Sequence, residues 1–291
     1  MKKIQMLMST TVTGLSVPSL EARLMNRIPF ASDLKRIPLF GLGCLAGTAG
    51  IARVCDYLKG HPNDAAILLS VELCSLTLQV EDVSIANIIS SGLFGDGAAA
   101  VLIVGDKHPF VFEENYNSNI GKNNPKIFED SKSLKIKHSE CSKPWVLKSR
   151  SIFFPESEEV MGWDLTDSGL KIVLGQGVPG YAAQLRPHIL RFLSESGLSL
   201  KDITFWLTHP GGPKVIDTIE SSLELAPKTL DNIRNLLRDI GNLSSTSILV
   251  LLDECLKNSS KQISQRSDEL VYGLMLSMGP AFSAELVLLK W

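Results

Sequence analysis

No long apolar run, no surplus of either charge and no paired cysteines occur in this chain of 291 residues. A bilayer-spanning helix needs about 20 consecutive apolar residues. No uninterrupted stretch approaches that, so no membrane role is expected. Lys and Arg number 29 against 31 Asp and Glu, for a net charge of −2; without a basic surplus, neither nucleic acid nor anionic lipid is an expected partner. The densest basic stretch, Lys132 to Lys148, is polar and loop-like. The five cysteines, at 44, 55, 74, 141 and 255, form no CxxC pair and no Cys/His cluster with zinc spacing. No metal site is therefore expected, and reduced, mostly buried thiols fit best. The start, Met1-Lys2-Lys3 and a short apolar run, faintly resembles a signal peptide, but Gln5 breaks the run and no clean cleavage site follows. The expected location is the cytoplasm.

The composition that remains, 44% apolar and 21% charged, is that of a globular protein long enough to bury a sizeable core. Ala65 to Val71 and Ala98 to Val104 are short, near-continuously apolar runs bounded by turn residues, the pattern of strands buried on both faces of a sheet. Leu45 to Leu58 has helical character, and helix alternating with buried strand predicts an α/β architecture. Residues 106–150 are rich in Asn, Lys, Ser and Glu, hold His108 and His138 without evident partners, and read as a polar insertion or linker. Beyond it, strands are expected at Ser151 to Pro155, Gly169 to Leu174 and Ile203 to Leu207. Helices are expected at Tyr181 to Glu195, Lys214 to Leu223, Thr229 to Ile240 and Ser244 to Leu256. The end reads as a strand pair, Glu269 to Met278 and Phe282 to Leu289, around Gly279-Pro280. Two α/β halves, 1–105 and 151–291, thus flank the polar segment.

Three residues could carry chemistry. Cys44 lies in GLGCLAGTAG, where Gly41 and Gly43 permit a tight turn and small residues follow. A thiol at a helix N-terminus meets unpaired N–H groups and the positive dipole end, which favour thiolate. The spacing fits neither the dinucleotide nor the P-loop fingerprint, and a buried structural Cys is the commoner reading of one such residue. His209, in FWLTHPGGP, follows an apolar strand on a loop with two prolines and two glycines, a common way to present a functional side chain; a solvated or structural His is the plain alternative. Asn242, in GNLSST, sits where a helix should begin, so it reads as an N-cap, though its amide can also donate to an oxyanion.

In this order, and with LSVELCSLT, SGLFGDGAAAVLIVG, VMGWDLTDSGLKIVL, FWLTHPGGPKVID and GNLSSTSILVLLDE, the motifs resemble the type III polyketide synthases of the chalcone/stilbene synthase family. The resemblance covers nearly all of residues 8–105 and 149–291. It implies a thiolase-like αβαβα fold in a homodimer. Relatives carry a further quarter to third of chain before the position of Met1, so the first half is expected to be incomplete and to lack central strands of its sheet. By position, Cys44 is the implied nucleophile, accepting an acyl group from a CoA thioester. His209 is its implied ion-pair partner and, with Asn242, holds the thioester oxygen of malonyl-CoA during decarboxylation. Phe94 matches the gatekeeper aromatic, Ile172 stands where plant enzymes carry a second, and Thr77 and Cys74 fall at cavity-lining positions. Gly211, Gly212 and Ser244 are implied substrate contacts within the same motifs. Acyl-CoA and malonyl-CoA are the implied substrates, and no metal or redox cofactor is required.

An aliphatic Ile172 suits an alkyl chain better than a planar aromatic starter, which suggests a fatty acyl starter and an alkylpyrone or alkylresorcinol product. The family's G-F-G-P-G loop reads Ser277-Met-Gly-Pro-Ala281 here, and Ala is expected to resist positive φ, changing the loop's shape. Val17 lies where the family sends a Met across its dimer interface. Two other readings stand beside the synthase: a β-ketoacyl-carrier-protein synthase III-like enzyme with the same Cys-His-Asn set, and a non-catalytic remnant or partner of a full-length synthase.

Overall fold

The computed structural model describes residues 3–111, 143–264 and 270–291. Two four-stranded sheets organise it. In the first, β1 (Met6–Thr10) lies parallel to β2 (Lys35–Leu39) on one side and to β3 (Ala65–Leu73) on the other, and β4 (Asp96–Val104) runs antiparallel to β3, giving the order β2-β1-β3-β4. In the second, β8 (Ile203–Thr208) is parallel to β9 (Tyr272–Gly279). β10 (Ser283–Lys290) is antiparallel to β9, and β5 (Trp145–Phe153) is antiparallel to β10. A separate hairpin joins β6 (Met161–Thr166) to β7 (Gly169–Leu174).

The sheets share one logic. Each sets a parallel pair (β1/β3, β8/β9) beside an antiparallel neighbour (β4, β10). The second sheet then adds β5 outside β10, whereas the outer edge of β4 has no strand partner among the described residues. The expected gap at the centre of the first sheet is therefore not found, because β1 bonds directly to both β2 and β3. The uncovered place is an edge, and Leu102 on β4 stands half exposed.

Between the sheets lie helices α2 (Ala46–Gly60) and α8 (Ser247–Ser264), which touch each other; α2 contacts β1 and β3 of one sheet and β9 and β10 of the other. The start of α2 is nearly all small residues, and Ala46 through Ala52 are buried. Small side chains let the helix sit deep between two sheets, and large ones would hold it off. A second tie crosses the interface, where buried Glu285 takes the Arg53 guanidinium at 3.1 Å and the Ser151 hydroxyl at 2.7 Å. Outside the second sheet pack α4 (Val178–Ala183), α5 (Leu185–Ser194) and α6 (Pro213–Ser222), with α7 (Asp231–Ile240) between α6 and α8. The first sheet carries on its flank only the short α1 (Leu20–Met25) among the described helices, while α3 (Ile85–Leu93) leans on β7. The first half is thus the thinner one among the described residues.

Most expected elements occur, with shifted ends. The helix expected over Tyr181 to Glu195 is two, α4 and α5, and the last helix starts at Ser247 after a 3-10 turn (Ser244–Thr246). β5 begins at Trp145, inside the segment set apart as 106–150; most of that segment, with His138 and Cys141, lies outside the described residues. His108 is buried and stacked on Phe110. The run suggesting a weak signal peptide is β1, buried at every position. Ala281 does take positive φ, at 51°, so the turn before β10 keeps a left-handed residue despite its Cβ. That conformation costs an alanine about 1–2 kcal/mol relative to right-handed backbone.

Candidate active site

Cys44 sits in a 3-10 turn (Gly43–Leu45) that follows β2 and runs into α2. Gly43 holds φ at 53°, and a Cβ there would lie 2.4 Å from the Pro280 ring. Only glycine lets the nucleophile turn rest directly on the β9–β10 turn. Next in line, a Cβ on Gly47 would lie 2.2 Å from the Ser245 carbonyl oxygen. The two halves therefore meet backbone to backbone at the site, and the thiol reaches Ser244 Oγ at 3.5 Å.

The helix N-terminus was expected to lower the thiol pKa. Burial outweighs it, pushing Cys44 up to about 12. The Glu72 charge adds to that rise, while a hydrogen bond from Ser244 and the backbone act in the other direction. His209 extends β8, its N–H donating to the Leu276 carbonyl at 2.8 Å. Its side chain is 1% exposed, and neither ring nitrogen has a hydrogen-bond partner. Burial pushes its pKa down to about 3, so the ring is neutral and carries one N–H. No hydrogen bond joins Cys44 to His209 in this structure; the thiol's partner is Ser244.

Asn242 lies in the segment between α7 and α8, its backbone bridged to Phe94. Its Oδ1 accepts the Ser244 N–H at 2.9 Å, two residues on, while the N-cap position of the 3-10 turn is Leu243, with no side-chain cap. With that end occupied, the Nδ2 protons remain for a ligand. The N-cap role expected of Asn242 is therefore not found, because the chain turns into the 3-10 segment one residue later, at Leu243.

Cys44, His209 and Asn242 line one cavity of about 60 Å³ with Phe94, Ile172 and Gly211. The other expected contacts lie outside that lining. Thr77 donates to the Cys74 carbonyl at 2.7 Å, Cys74 is buried, Gly212 (φ 134°) starts α6, and Ser244 acts through Cys44. The sequence reading missed Trp163, which faces Ile172 across the hairpin and approaches Phe94 with ring centroids 5.9 Å apart. A signal existed. Thr166-Asp-Ser-Gly169 is a turn, and folding the chain about it places Trp163 opposite Ile172. Among the described residues no group of three or more His, Cys, Asp or Glu is placed to hold a metal, and no helix is long and apolar enough to cross a membrane.

The family model for the C-terminal domain of chalcone and stilbene synthases matches residues 146–291, and that for FAE1/type III polyketide synthase-like proteins matches residues 1–111. The chain belongs to the type III polyketide synthases. As a member it is an acyl-transferring enzyme, and the choice between the two condensing-enzyme readings falls to the first. A 1,3,6,8-tetrahydroxynaphthalene synthase of Streptomyces peucetius subsp. caesius is 40% identical over 289 residues, 99% of this chain and 67% of that protein. A Bacillus subtilis (strain 168) protein provisionally described as a chalcone synthase is 38% identical over 291 residues, covering 100% of this chain and 71% of that protein. The crystal structure of 1,3,6,8-tetrahydroxynaphthalene synthase from Streptomyces coelicolor A3(2), a bacterial type III polyketide synthase, superposes with a TM-score of 0.80 at 26% identity, over 99% of this chain and 72% of that one. PKS-I from the brown alga Ectocarpus siliculosus shares the fold, with a TM-score of 0.83 at 22% identity.

Proposed function

We propose that this synthase loads an acyl group from a CoA thioester onto Cys44 and extends it with malonyl-CoA by decarboxylative Claisen condensation. The observation that carries this is the convergence of a thiol, a neutral imidazole with no protein partner and a free amide NH₂ on one cavity. In loading, neutral His209 takes the thiol proton as sulfur attacks the acyl carbonyl, and CoA leaves with a proton. In extension, the C–C bond to the malonyl carboxylate breaks and CO₂ departs. The electron pair delocalises onto the thioester oxygen, where His209 and Asn242 donate hydrogen bonds. The enolate carbon then attacks the Cys44 thioester, and sulfur leaves as the new C–C bond forms. No metal or redox cofactor enters this sequence, because two aimed N–H donors carry the developing charge.

The starter best suited to the cavity is short, a malonyl- or acetyl-sized group. About 60 Å³ is far below the ~300–1,000 Å³ of typical drug-sized ligand sites, and the Trp163–Phe94 pair closes it. The Streptomyces relatives are named for an aromatic product, 1,3,6,8-tetrahydroxynaphthalene, which carries no alkyl chain. A fatty acyl starter is the second reading, favoured by the aliphatic lining of Met161, Ile172 and Leu174; it requires Trp163 or Phe94 to swing aside. Intact mass after incubation with malonyl-, acetyl- and dodecanoyl-CoA, beside Cys44→Ala, tests all of these. A Cys44-dependent adduct with the short thioesters and product from malonyl-CoA are expected. A dodecanoyl adduct alone would reverse the choice of starter, and no adduct on folded protein would favour the non-catalytic partner reading.

We also propose a cytoplasmic homodimer. Val17 is 95% exposed, and Leu76, Val80, Val83, Ile85 and Ile88 are exposed apolar residues close together in the chain. Contiguous apolar surface of this kind marks an interface. A monomeric mass by light scattering at micromolar concentration would contradict it.

A further inference from the structure

The hairpin that carries Trp163 is held at both ends, and its far end hangs on one side chain that the condensation does not use. At the base, the Met161 carbonyl accepts the Ala281 N–H at 3.1 Å, in the turn between β9 and β10. At the tip stands Gln79, half-buried in the loop between β3 and α3. Its Nε2 donates to the Ser168 carbonyl at 3.1 Å and to the Leu170 carbonyl at 3.2 Å, and its Oε1 accepts the Ser168 hydroxyl at 2.7 Å. One amide thus bonds to both sides of Gly169, the residue at φ 105° where the hairpin turns. Nearby, Lys171 pairs with Asp82 at 3.2 Å, but Lys171 is half exposed, and ion pairs open to water contribute little. The Gln79 backbone is fixed in turn. Buried Asn87, on α3, donates from Nδ2 to the Gln79 carbonyl at 2.8 Å and to the Asp82 carbonyl at 2.6 Å.

Helix α3 ends at Phe94. A continuous path therefore runs from Phe94 through α3 and Asn87 to Gln79, and from Gln79 into the hairpin on which Trp163 faces Ile172. The two rings that close the cavity, with centroids 5.9 Å apart, stand at the two ends of that path. With the tip released, the hairpin keeps its base bond and can pivot, which carries Trp163 away from Phe94 and lengthens the cavity. We infer that Gln79 is a positioning residue that sets the length of the acyl group the cavity accepts. Its amide holds the hairpin down, Trp163 stays against Phe94, and the starter is kept short. Gln79 is not part of the cavity lining that holds Cys44, His209 and Asn242. Its loss should therefore change which thioester is accepted while the shortest one still loads. The inference rests on the proposed function in taking this cavity as the acyl site.

Gln79→Met keeps the side chain's length and removes all three hydrogen bonds. The experiment measures the rate of Cys44 adduct formation with hexanoyl-CoA and with acetyl-CoA, by intact mass, for wild type, Gln79→Met, Trp163→Ala and the double variant. Amide hydrogen exchange over residues 161–174 is read on the same proteins. In Gln79→Met the hexanoyl-to-acetyl ratio should rise at least about fivefold, the equilibrium factor that one net hydrogen bond supplies. The hairpin amides should exchange faster while those of β9 and β10 do not. In the Trp163→Ala background the wall is already gone, so Gln79→Met should change the ratio by less than about twofold. A folded Gln79→Met with an unchanged ratio overturns the inference, as does the same gain without Trp163. Should Gln79→Met not fold, Ser168→Ala decides, since it removes the Ser168 hydroxyl bond alone: a smaller rise in the ratio supports the inference and no rise overturns it. A wild type that loads neither thioester, beside faster hairpin exchange in Gln79→Met, would overturn the proposed function and leave the clamp standing; unchanged exchange would remove the clamp as well.

Discussion

Gly47 is where the two halves of the molecule come closest at the catalytic cavity, and Gly47→Ala tests whether that approach matters. The added Cβ would lie 2.2 Å from the Ser245 carbonyl oxygen and 2.5 Å from Ile248 Cγ2. The first neighbour is backbone within the Ser244–Thr246 turn and cannot rotate away. Overpacking costs about 1–3 kcal/mol, and a backbone neighbour places this site at the upper end. Alanine regains about 1 kcal/mol of helix propensity over glycine, so a net loss of about 2 kcal/mol is expected. Gly60→Ala is the matched control, since it closes the same helix and its Cβ would meet nothing within 4 Å.

In urea unfolding, with a slope of roughly 2 kcal/mol per molar, Gly47→Ala should lower the midpoint by about 1 M, while Gly60→Ala leaves it equal or raised. Because α2 carries Cys44 and the displaced turn carries Ser244, Cys44 loading should fall more than stability alone explains. A Gly47→Ala protein with a wild-type midpoint and wild-type loading would refute the close packing described here.

His209→Gln should flatten the acid side of the stability profile. The folded ring has its pKa near 3 against an ordinary 6.5, so below pH 6.5 the unfolded chain binds a proton that the folded one refuses. Stability present above pH 6.5 is lost as pH falls, by about 2 kcal/mol at pH 5. Urea midpoints at pH 7 and 5 check this, and equal slopes in variant and wild type would contradict it. Trp163→Ala should open the cavity and raise loading by hexanoyl- or dodecanoyl-CoA relative to acetyl-CoA at least tenfold; an unchanged ratio would remove Trp163 as the limit. Asn242→Asp keeps the oxygen that accepts the Ser244 N–H and loses the amide donor. Malonyl-CoA decarboxylation should therefore fall about 10²–10³-fold with melting little changed, whereas retained decarboxylation would exclude Asn242 as the donor.

What could be read from the sequence followed physical type. β3, β4, β8, β9 and β10 are apolar runs between turn signals, and they were legible. β1 (MLMST) and β2 (KRIPL) were not: neither alternates, and Pro38 with two basic residues marks β2 as an edge strand, which carries the weakest pattern. α3 was missed because its pattern is inverted: the polar Asn87 and Ser90 are buried, and Ile85, Ile88 and Ile89 are exposed. The candidate chemistry-bearing residues were named from long motifs. Their protonation states were not, because a helix N-terminus is local and visible in sequence while burial is a property of the assembled halves. The same holds for the Glu72–Ser244 contact, which joins residues 172 positions apart.

The site is built from an imbalance that folding would ordinarily remove. Buried polar groups are nearly always paired, yet neither His209 ring nitrogen has a hydrogen-bond partner among the described residues, whereas Ser70, Ser244, Ser245, Thr246 and Glu72 bond to one another. An unpaired buried group costs about 1–3 kcal/mol, and Gly47 against the Ser245 backbone and Gly43 against the Pro280 ring leave the surrounding turns little room to shift. A thioester oxygen entering the cavity finds donors whose desolvation is already complete, so the bond it forms there is stronger than one it gives up in water. As negative charge builds on that oxygen during decarboxylation, the gain grows, and stabilisation is greatest where the barrier is highest.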